Sequence, residues 1–354
     1  MSQVPVSSAS GAVLIVGPSW VGDMVMAQSL FKLIKERSPD LSIDVLAPSW
    51  SSPLLRQMSE VRKAIEMPIG HGVVALGKRR RLARSLGGAQ YQQAIVLPRS
   101  FKSALVPWWA RIPRRTGYLG ELRYGLLNDR RTVDERRLPR TVERYVALGL
   151  EPEEPFPKEF PLPNLQVDSA ATATTLSSLS LIPGDKSVLA LCPGAAYGPA
   201  KRWPAHYFGA AAQAMLRQEW CVWVLGSHAE HEAGEAVCVA AGTGCVNLAG
   251  RTSLEQTIHL LARADGVVTN DSGLMHVAAA LNRPLVAVYG SSDPAFTPPL
   301  SPLSRIERLG LSCSPCFARE CPLGHTRCLQ DLRPERVIEA LQRLLAQESP
   351  SVPP

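Results

Sequence analysis

Short, wholly apolar, β-branched runs alternate along the chain with stretches of helical periodicity. Ala12–Val16 (AVLIV) has no polar position at all, the pattern of a strand buried on both faces. Behind it Met26, Leu30, Leu33 and Ile34 recur at helical spacing and predict one apolar helix face. Ser42–Ala47 and residues 94–97 predict strands of the same kind. The rhythm returns in the second half, with strands predicted at 188–191, 222–225, 266–269 and Leu285–Val288. Helical segments separate them, and one at 252–264 opens with Thr252 and Glu255 at capping-box spacing. This alternation predicts an α/β protein with two doubly wound parallel sheets.

Between the halves, residues 151–163 (EPEEPFPKEFPLP) are acidic, proline-rich and without period. They read as the end of one domain and a linker, giving domains at 1–165 and 166–354 with a C-terminal helix free to pack back on the first. Open α/β sheets bind ligands beyond the carboxyl ends of their strands. Two Rossmann-like domains facing across a cleft would hold an active site there.

A length of 354 residues fits two domains, and 45% hydrophobic with 19% charged residues is ordinary for a globular chain. Such a core needs neither disulfide nor metal. The 30 prolines are dispersed, which excludes a fibrous protein. No apolar run approaches the roughly 18 residues of a membrane span. Residues 1–10 carry neither a basic head nor an apolar segment, so no secretory signal is expected. The expected location is cytoplasmic.

Charge is unevenly placed. Residues 1–160 hold 24 Lys/Arg against 15 Asp/Glu, whereas residues 161–354 hold 14 against 16. The basic half includes Lys78-Arg79-Arg80-Arg81, Arg111, Arg114-Arg115, Arg130-Arg131 and Arg136-Arg137. Such a surface favours nucleic acid, an anionic membrane face or a multiply charged substrate, the plain alternative being a solvated face.

Among the cysteines, Cys192, Cys221, Cys238 and Cys245 lie in or near apolar stretches and read as buried small hydrophobes. Cys313, Cys316, Cys321 and Cys328, with His325 among them, resemble a zinc site in ligand type, but only one C-x-x-C pair is present. Reduced thiols in an ordered loop, a structural zinc and a disulfide are the three readings. The first is preferred, and no metal is assigned.

Three loops carry candidate chemistry. Gly17-Pro-Ser-Trp-Val-Gly22-Asp23 joins the first strand to the first helix. It is not a dinucleotide fingerprint, because its glycines are five apart and a carboxylate follows, which would repel a phosphate. Asp23 is either a helix cap or a general base. Thr269-Asn270-Asp271-Ser272-Gly273-Leu274-Met275-His276 follows a buried strand and opens a helix ending near Asn282, so its backbone N–H groups suit an anion. His276, one turn in, reads more simply as a packed histidine. Cys192-Pro-Gly-Ala-Ala-Tyr-Gly-Pro-Ala-Lys-Arg-Trp-Pro204 ends in Lys201-Arg202, two cations suited to a diphosphate, although a surface loop fits as well. No D-x-D occurs, which removes the usual metal holder of a sugar nucleotide.

In order along the chain, VGPSWVGDMVMAQSL (16–30), MPIGHG (67–72), CPGAAYGPAKRWP (192–204), NLAGRTSLEQ (247–256), TNDSGLMHVAAALNRP (269–284) and CSPCFARECPLGH (313–325) resemble the lipopolysaccharide core heptosyltransferases of glycosyltransferase family 9. The resemblance spans about residues 12–330. It implies a GT-B fold and an inverting transfer of L-glycero-D-manno-heptose from ADP-heptose to the first heptose of the inner core. By motif position, Asp23, beside Gly22, matches the catalytic aspartate, and Lys201 with Arg202 the diphosphate-binding cations. Asp271, Ser272 and Gly273, with His276, match the donor loop. Glu230 or Glu232 matches the ribose-binding glutamate. The resemblance implies no cofactor; the partners it implies are the ADP-heptose donor, the inner-core acceptor and the anionic inner-membrane face.

The residues agree with this. An in-line displacement needs one group to take the acceptor's proton and another to steady the leaving ADP, roles that suit Asp23 and Lys201. A basic first half suits an acceptor bearing carboxylates and phosphates. The alternatives are a heptosyltransferase acting on another core acceptor and a sugar-nucleotide epimerase of the same fold. A zinc-containing nucleic-acid-binding protein would leave both glycine loops unexplained.

Overall fold

The apolar runs form the inner strands of two parallel sheets. The computed structural model describes residues 11–70 and 72–348; residues 1–10, on which the reading of a missing signal rests, lie outside it. Two units divide between Pro161 and Leu162, within the proline-rich stretch.

In the first unit, β1 (Ala12–Val16), β2 (Ser42–Ala47), β3 (Val61–Glu66), β4 (Tyr91–Val96), β5 (Arg114–Tyr118) and β6 (Asp129–Arg131) run parallel in the order β3-β2-β1-β4-β5-β6. The second unit repeats the arrangement. There β7 (Val188–Cys192), β8 (Cys221–Val224), β9 (Cys245–Asn247), β10 (Gly266–Asn270), β11 (Leu285–Val288) and β12 (Ser304–Glu307) lie in the order β12-β11-β10-β7-β8-β9. Each sheet therefore winds outward both ways from a central pair, β1 with β4 and β7 with β10. Crevices for ligands open where the winding reverses.

The strands not foreseen are β3, β5, β6, β9 and β12. They lie toward the sheet margins, are short or partly exposed, and carry Arg, Lys, Glu or Asn, so no continuous apolar run marks them. The Val21–Arg37 helix is buried on more than the one expected face, Met24 to Phe31 being inaccessible throughout. It packs against the Thr141–Ala147 helix. The capping box of the Leu254–Arg263 helix belongs to Ser253 and Gln256 rather than to Thr252 and Glu255. Thr252 instead turns its hydroxyl to Thr257 Oγ1 at 3.0 Å.

In the second unit Leu189, Leu191, Val222 and Val224 pack with Trp203, Phe208 and Met215. The C-terminal helix, Pro334–Glu348, buries Val337, Leu341 and Leu344 in that core and lies on β10, β11, β12 and the Ala205–Leu216 helix.

Candidate functional site

Asn270, the last residue of β10, organises the carboxyl end of the second sheet. It is fully buried, where an unpaired amide would be costly. Its Nδ2 donates to Pro193 O at 2.7 Å and its Oδ1 accepts from Trp203 N at 3.0 Å. Both ends of the 193–203 loop are thereby pinned across the β7–β10 reversal. Trp203 fixes the far end, packed edge-on against Phe208 and tilted against Tyr207, with Nε1 donating to Leu332 O. Both residues lie inside sequence motifs whose pattern assigns them no task.

Between these anchors the short turn Pro199–Lys201 delivers Lys201 to Asp271, Nζ to Oδ2 at 2.5 Å. The Lys201 side chain is 18% exposed and that of Asp271 5%. Ser272 stands in extended conformation at the start of the Gly273–Ala280 helix and makes no side-chain cap bond. This helix N-terminus meets the Lys201 loop at the sheet's reversal point, a geometry suited to a diphosphate.

His276 is buried in that helix. Burial pushes its pKa down to about 4, with Asp271 opposing and Lys201 reinforcing the shift; the ring is neutral at pH 7. Arg202 is exposed, its Nη2 3.4 Å from Ala195 O.

Of the two candidate glutamates, Glu230 stands at the site. Its Oε2 accepts from Ser227 N at 2.7 Å. A Cβ on Gly194 would lie 2.0 Å from its Oε1, so only glycine admits the carboxylate there. Glu232 points outward from the first turn of the His231–Ala241 helix.

In the first unit, Gly22 and Asp23 lie at the carboxyl end of β1, again at the reversal point. Trp20 occupies the cap position of the Val21–Arg37 helix, so Asp23 is inside the first turn and is not the cap residue. It is half-buried. Burial first, and then the Asp23 charge, hold the Tyr145 phenol well above its usual range.

The arginines divide into two kinds. Arg79 is buried, Nε donating to Val74 O at 2.6 Å and Nη2 to Val73 O at 3.3 Å. Arg114 pairs with Asp129 and Glu151, Arg131 with Asp129, and Arg115 donates to Ile112 O and Leu126 O. Lys78, Arg80, Arg81, Arg111, Arg130, Arg136 and Arg137 face solvent.

All eight cysteines are free. Cys192 alone of its group is fully buried; Cys221, Cys238 and Cys245 sit at strand and helix ends and are partly exposed, a correction to the expected burial. Cys238 Sγ lies 3.1 Å from Cys245 Sγ. Cys313, Cys316, Cys321 and Cys328 line one small cavity with His325 and Ser291. Among the described residues no group of three or more His, Cys, Asp or Glu is placed to hold a metal ion.

The sequence profile of glycosyltransferase family 9 (heptosyltransferase) matches residues 79–327, a span that includes the whole second-unit site. The chain belongs to glycosyltransferase family 9. This family 9 chain is 47% identical over 345 residues to lipopolysaccharide heptosyltransferase 2 of Escherichia coli strain K12, covering 95% of the chain and 99% of that relative. It is 45% identical over 347 residues to lipooligosaccharide heptosyltransferase 2 of Haemophilus influenzae, covering 94% and 99%. The solved E. coli ADP-heptose LPS heptosyltransferase II superposes with a TM-score of 0.86 at 45% identity, covering 95% and 99%. The two doubly wound units are those of the GT-B architecture. Family membership makes the chain a transferase and sets the epimerase alternative aside.

Proposed function

We propose that this family 9 enzyme is a heptosyltransferase of the second type. It moves L-glycero-D-manno-heptose, with inversion, from ADP-heptose to the first heptose of the lipopolysaccharide inner core, on heptosyl-Kdo2-lipid A. The observation that carries the donor side is the convergence of Lys201, the Gly273–Ala280 helix N-terminus and Glu230 on the carboxyl end of one sheet.

The acceptor hydroxyl oxygen forms the new bond to the anomeric carbon as the bond to the diphosphate oxygen breaks. Asp23 takes the hydroxyl proton and ADP departs with the bonding pair. An aspartate in a first helical turn is a weak base, which suffices when the transition state is oxocarbenium-like and the proton leaves late. Lys201 and the helix N–H groups face the charge growing on the leaving diphosphate, where fixed positive charge is most effective. Asp271 orients Lys201, and Glu230 accepts from the ribose hydroxyls. The outward-facing basic residues of the first unit bind the acceptor's phosphates and carboxylates. They also give peripheral contact with the anionic cytoplasmic face of the inner membrane. No helix among the described residues is long and apolar enough to cross a membrane.

Incubation with ADP-heptose and a panel of truncated core acceptors, followed by mass spectrometry, tests the reading. One heptose should be added to the acceptor already carrying a heptose. Addition to heptose-free Kdo2-lipid A instead would assign the enzyme to the first type.

A further inference from the structure

The Cys313–Cys328 segment has no part in the chemistry above, yet at Phe317 and Arg319 it is hydrogen-bonded to the loop that carries Lys201. Ala200 N donates to Arg319 O at 3.0 Å, and Tyr197 Oη donates to Phe317 O at 2.7 Å. In return Arg319 Nε donates to Tyr197 O at 2.8 Å. The two backbones touch at Gly198, where a Cβ would lie 2.4 Å from Arg319 O. Phe317 N then ties the segment to Ser291 O at 2.7 Å, beyond the end of β11.

At the centre of this join stands the Tyr197 ring. The Lys201 ammonium lies 5.1 Å and the Arg319 guanidinium 5.8 Å from its centroid. Both are within the range at which an aromatic face attracts a cation. The ring draws the ammonium without engaging any N–H group in a conventional hydrogen bond. Lysine has three such donors. One meets Asp271, and the others stay free for phosphate oxygens while the ring limits where they point.

We infer that Tyr197 and Arg319 are positioning residues for Lys201, an inference that rests on Lys201 serving the donor's diphosphate. Tyr197 supplies a face that orients the ammonium, and Arg319 holds Tyr197 and the loop backbone against the cysteine segment. The segment is thus a brace for the donor site.

The test measures steady-state kinetics on full-length Lys201→Ala, Tyr197→Ala, Tyr197→Phe, Arg319→Ala and the Tyr197→Ala/Lys201→Ala pair, together with ADP affinity by calorimetry. Tyr197→Ala and Arg319→Ala should each lower kcat/KM for the donor about 10-fold, the size of a partly desolvated cation–π contact, with the acceptor's KM unchanged. Tyr197→Phe, which keeps the ring, should recover most of the loss. In the Lys201→Ala background, Tyr197→Ala should cost nothing further, because a residue acting only through Lys201 has nothing left to position. Losses that multiply in the double variant would overturn the inference, as would wild-type kinetics for Tyr197→Ala. If Lys201→Ala alone leaves donor kinetics unchanged, the reading of Lys201 falls, and the inference with it. If Lys201→Ala is damaging and Tyr197→Ala is harmless, only the inference falls.

Discussion

Lys201 and Asp271, 70 residues apart in sequence, meet at 2.5 Å where β7 and β10 end side by side. Both side chains are mostly shielded from solvent, Asp271 almost completely. The lysine proposed to face the donor is also the counter-charge of a buried carboxylate, so on that proposal the pair has a structural and a catalytic consequence that mutation can separate.

Lys201→Ala removes the cation proposed to face the leaving group and should lower kcat/KM for the donor by about 100-fold or more. It also strands the Asp271 charge, which should lower stability by about 3 kcal/mol. Adding Asp271→Asn should restore most of the stability and none of the activity. Urea melts and kinetics on the single and double variants check both statements. Equal stability of Lys201→Ala and wild type would mean that solvent already screens Asp271.

Asp23→Asn should lower turnover at least about 100-fold, as for a lost general base, with ADP affinity nearly unchanged. Asp23 belongs to the first unit and the loops proposed to bind ADP belong to residues 162–354, so chemistry and donor binding should separate. Since Asp23 lies inside the first turn and not at the cap position, the substitution should also cost little stability. Near wild-type turnover would remove Asp23 from the reaction.

The inner strands were legible in the sequence because full burial writes unbroken apolar runs, and the two glycine loops because each follows directly on such a run. Asn270 and Trp203 were present inside the recognised motifs, but their job, tying the two ends of one loop to a neighbouring strand, exists only once β7 and β10 are adjacent. Arg319 also lies inside one of those motifs, but its contact with Tyr197 crosses 122 positions and exists only in the fold. Glu230 was separable from Glu232 only through the space that Gly194 leaves open. The run Lys78-Arg79-Arg80-Arg81 read as uniform charge, whereas Arg79 turns inward to carbonyls in the fold.

His276 should make the protein less stable in mild acid. Its folded pKa, about 4, lies below the ordinary 6.5, so on acidification the unfolded chain takes up the proton first. The stability that rests on neutral His276 is whole above about pH 6.5 and is lost as pH falls toward 4, to a limit of roughly 3 kcal/mol. Urea melts of wild type and His276→Gln from pH 7 to 4 should show a shallower fall in the variant. Parallel curves would assign the acid sensitivity to other groups.

Activity should survive EDTA. On the proposed mechanism, Lys201 and the Gly273–Ala280 helix N-terminus supply the positive charge that a divalent ion would otherwise bring. Loss restored by magnesium would refute the metal-independent mechanism, and loss restored by zinc alone would direct attention to Cys313, Cys316, Cys321 and Cys328.

Acceptor recognition should depend on the outward-facing cations of the Leu76–Leu86 helix rather than on every arginine of the first unit. Lys78, Arg80 and Arg81 are exposed, whereas Arg79 holds the carbonyls of Val73 and Val74. Arg114 is committed to Asp129 and Glu151. Reversing Lys78, Arg80 and Arg81 to Glu should raise the acceptor's KM about 10-fold, since each exposed charge contributes up to ~1 kcal/mol. The donor's KM should stay unchanged, because the contacts proposed for it lie in the other unit. Salt should mimic the change in wild type and have less effect on the variant, exposed charges being screened over about 8 Å at physiological ionic strength. Arg79→Ala should differ in kind, lowering stability by freeing two carbonyls and a buried loop anchor. Kinetics of the triple variant at two salt concentrations decide the matter: an unchanged acceptor KM would make this helix a solvated face and move acceptor recognition to Arg111, Arg130, Arg136 or Arg137.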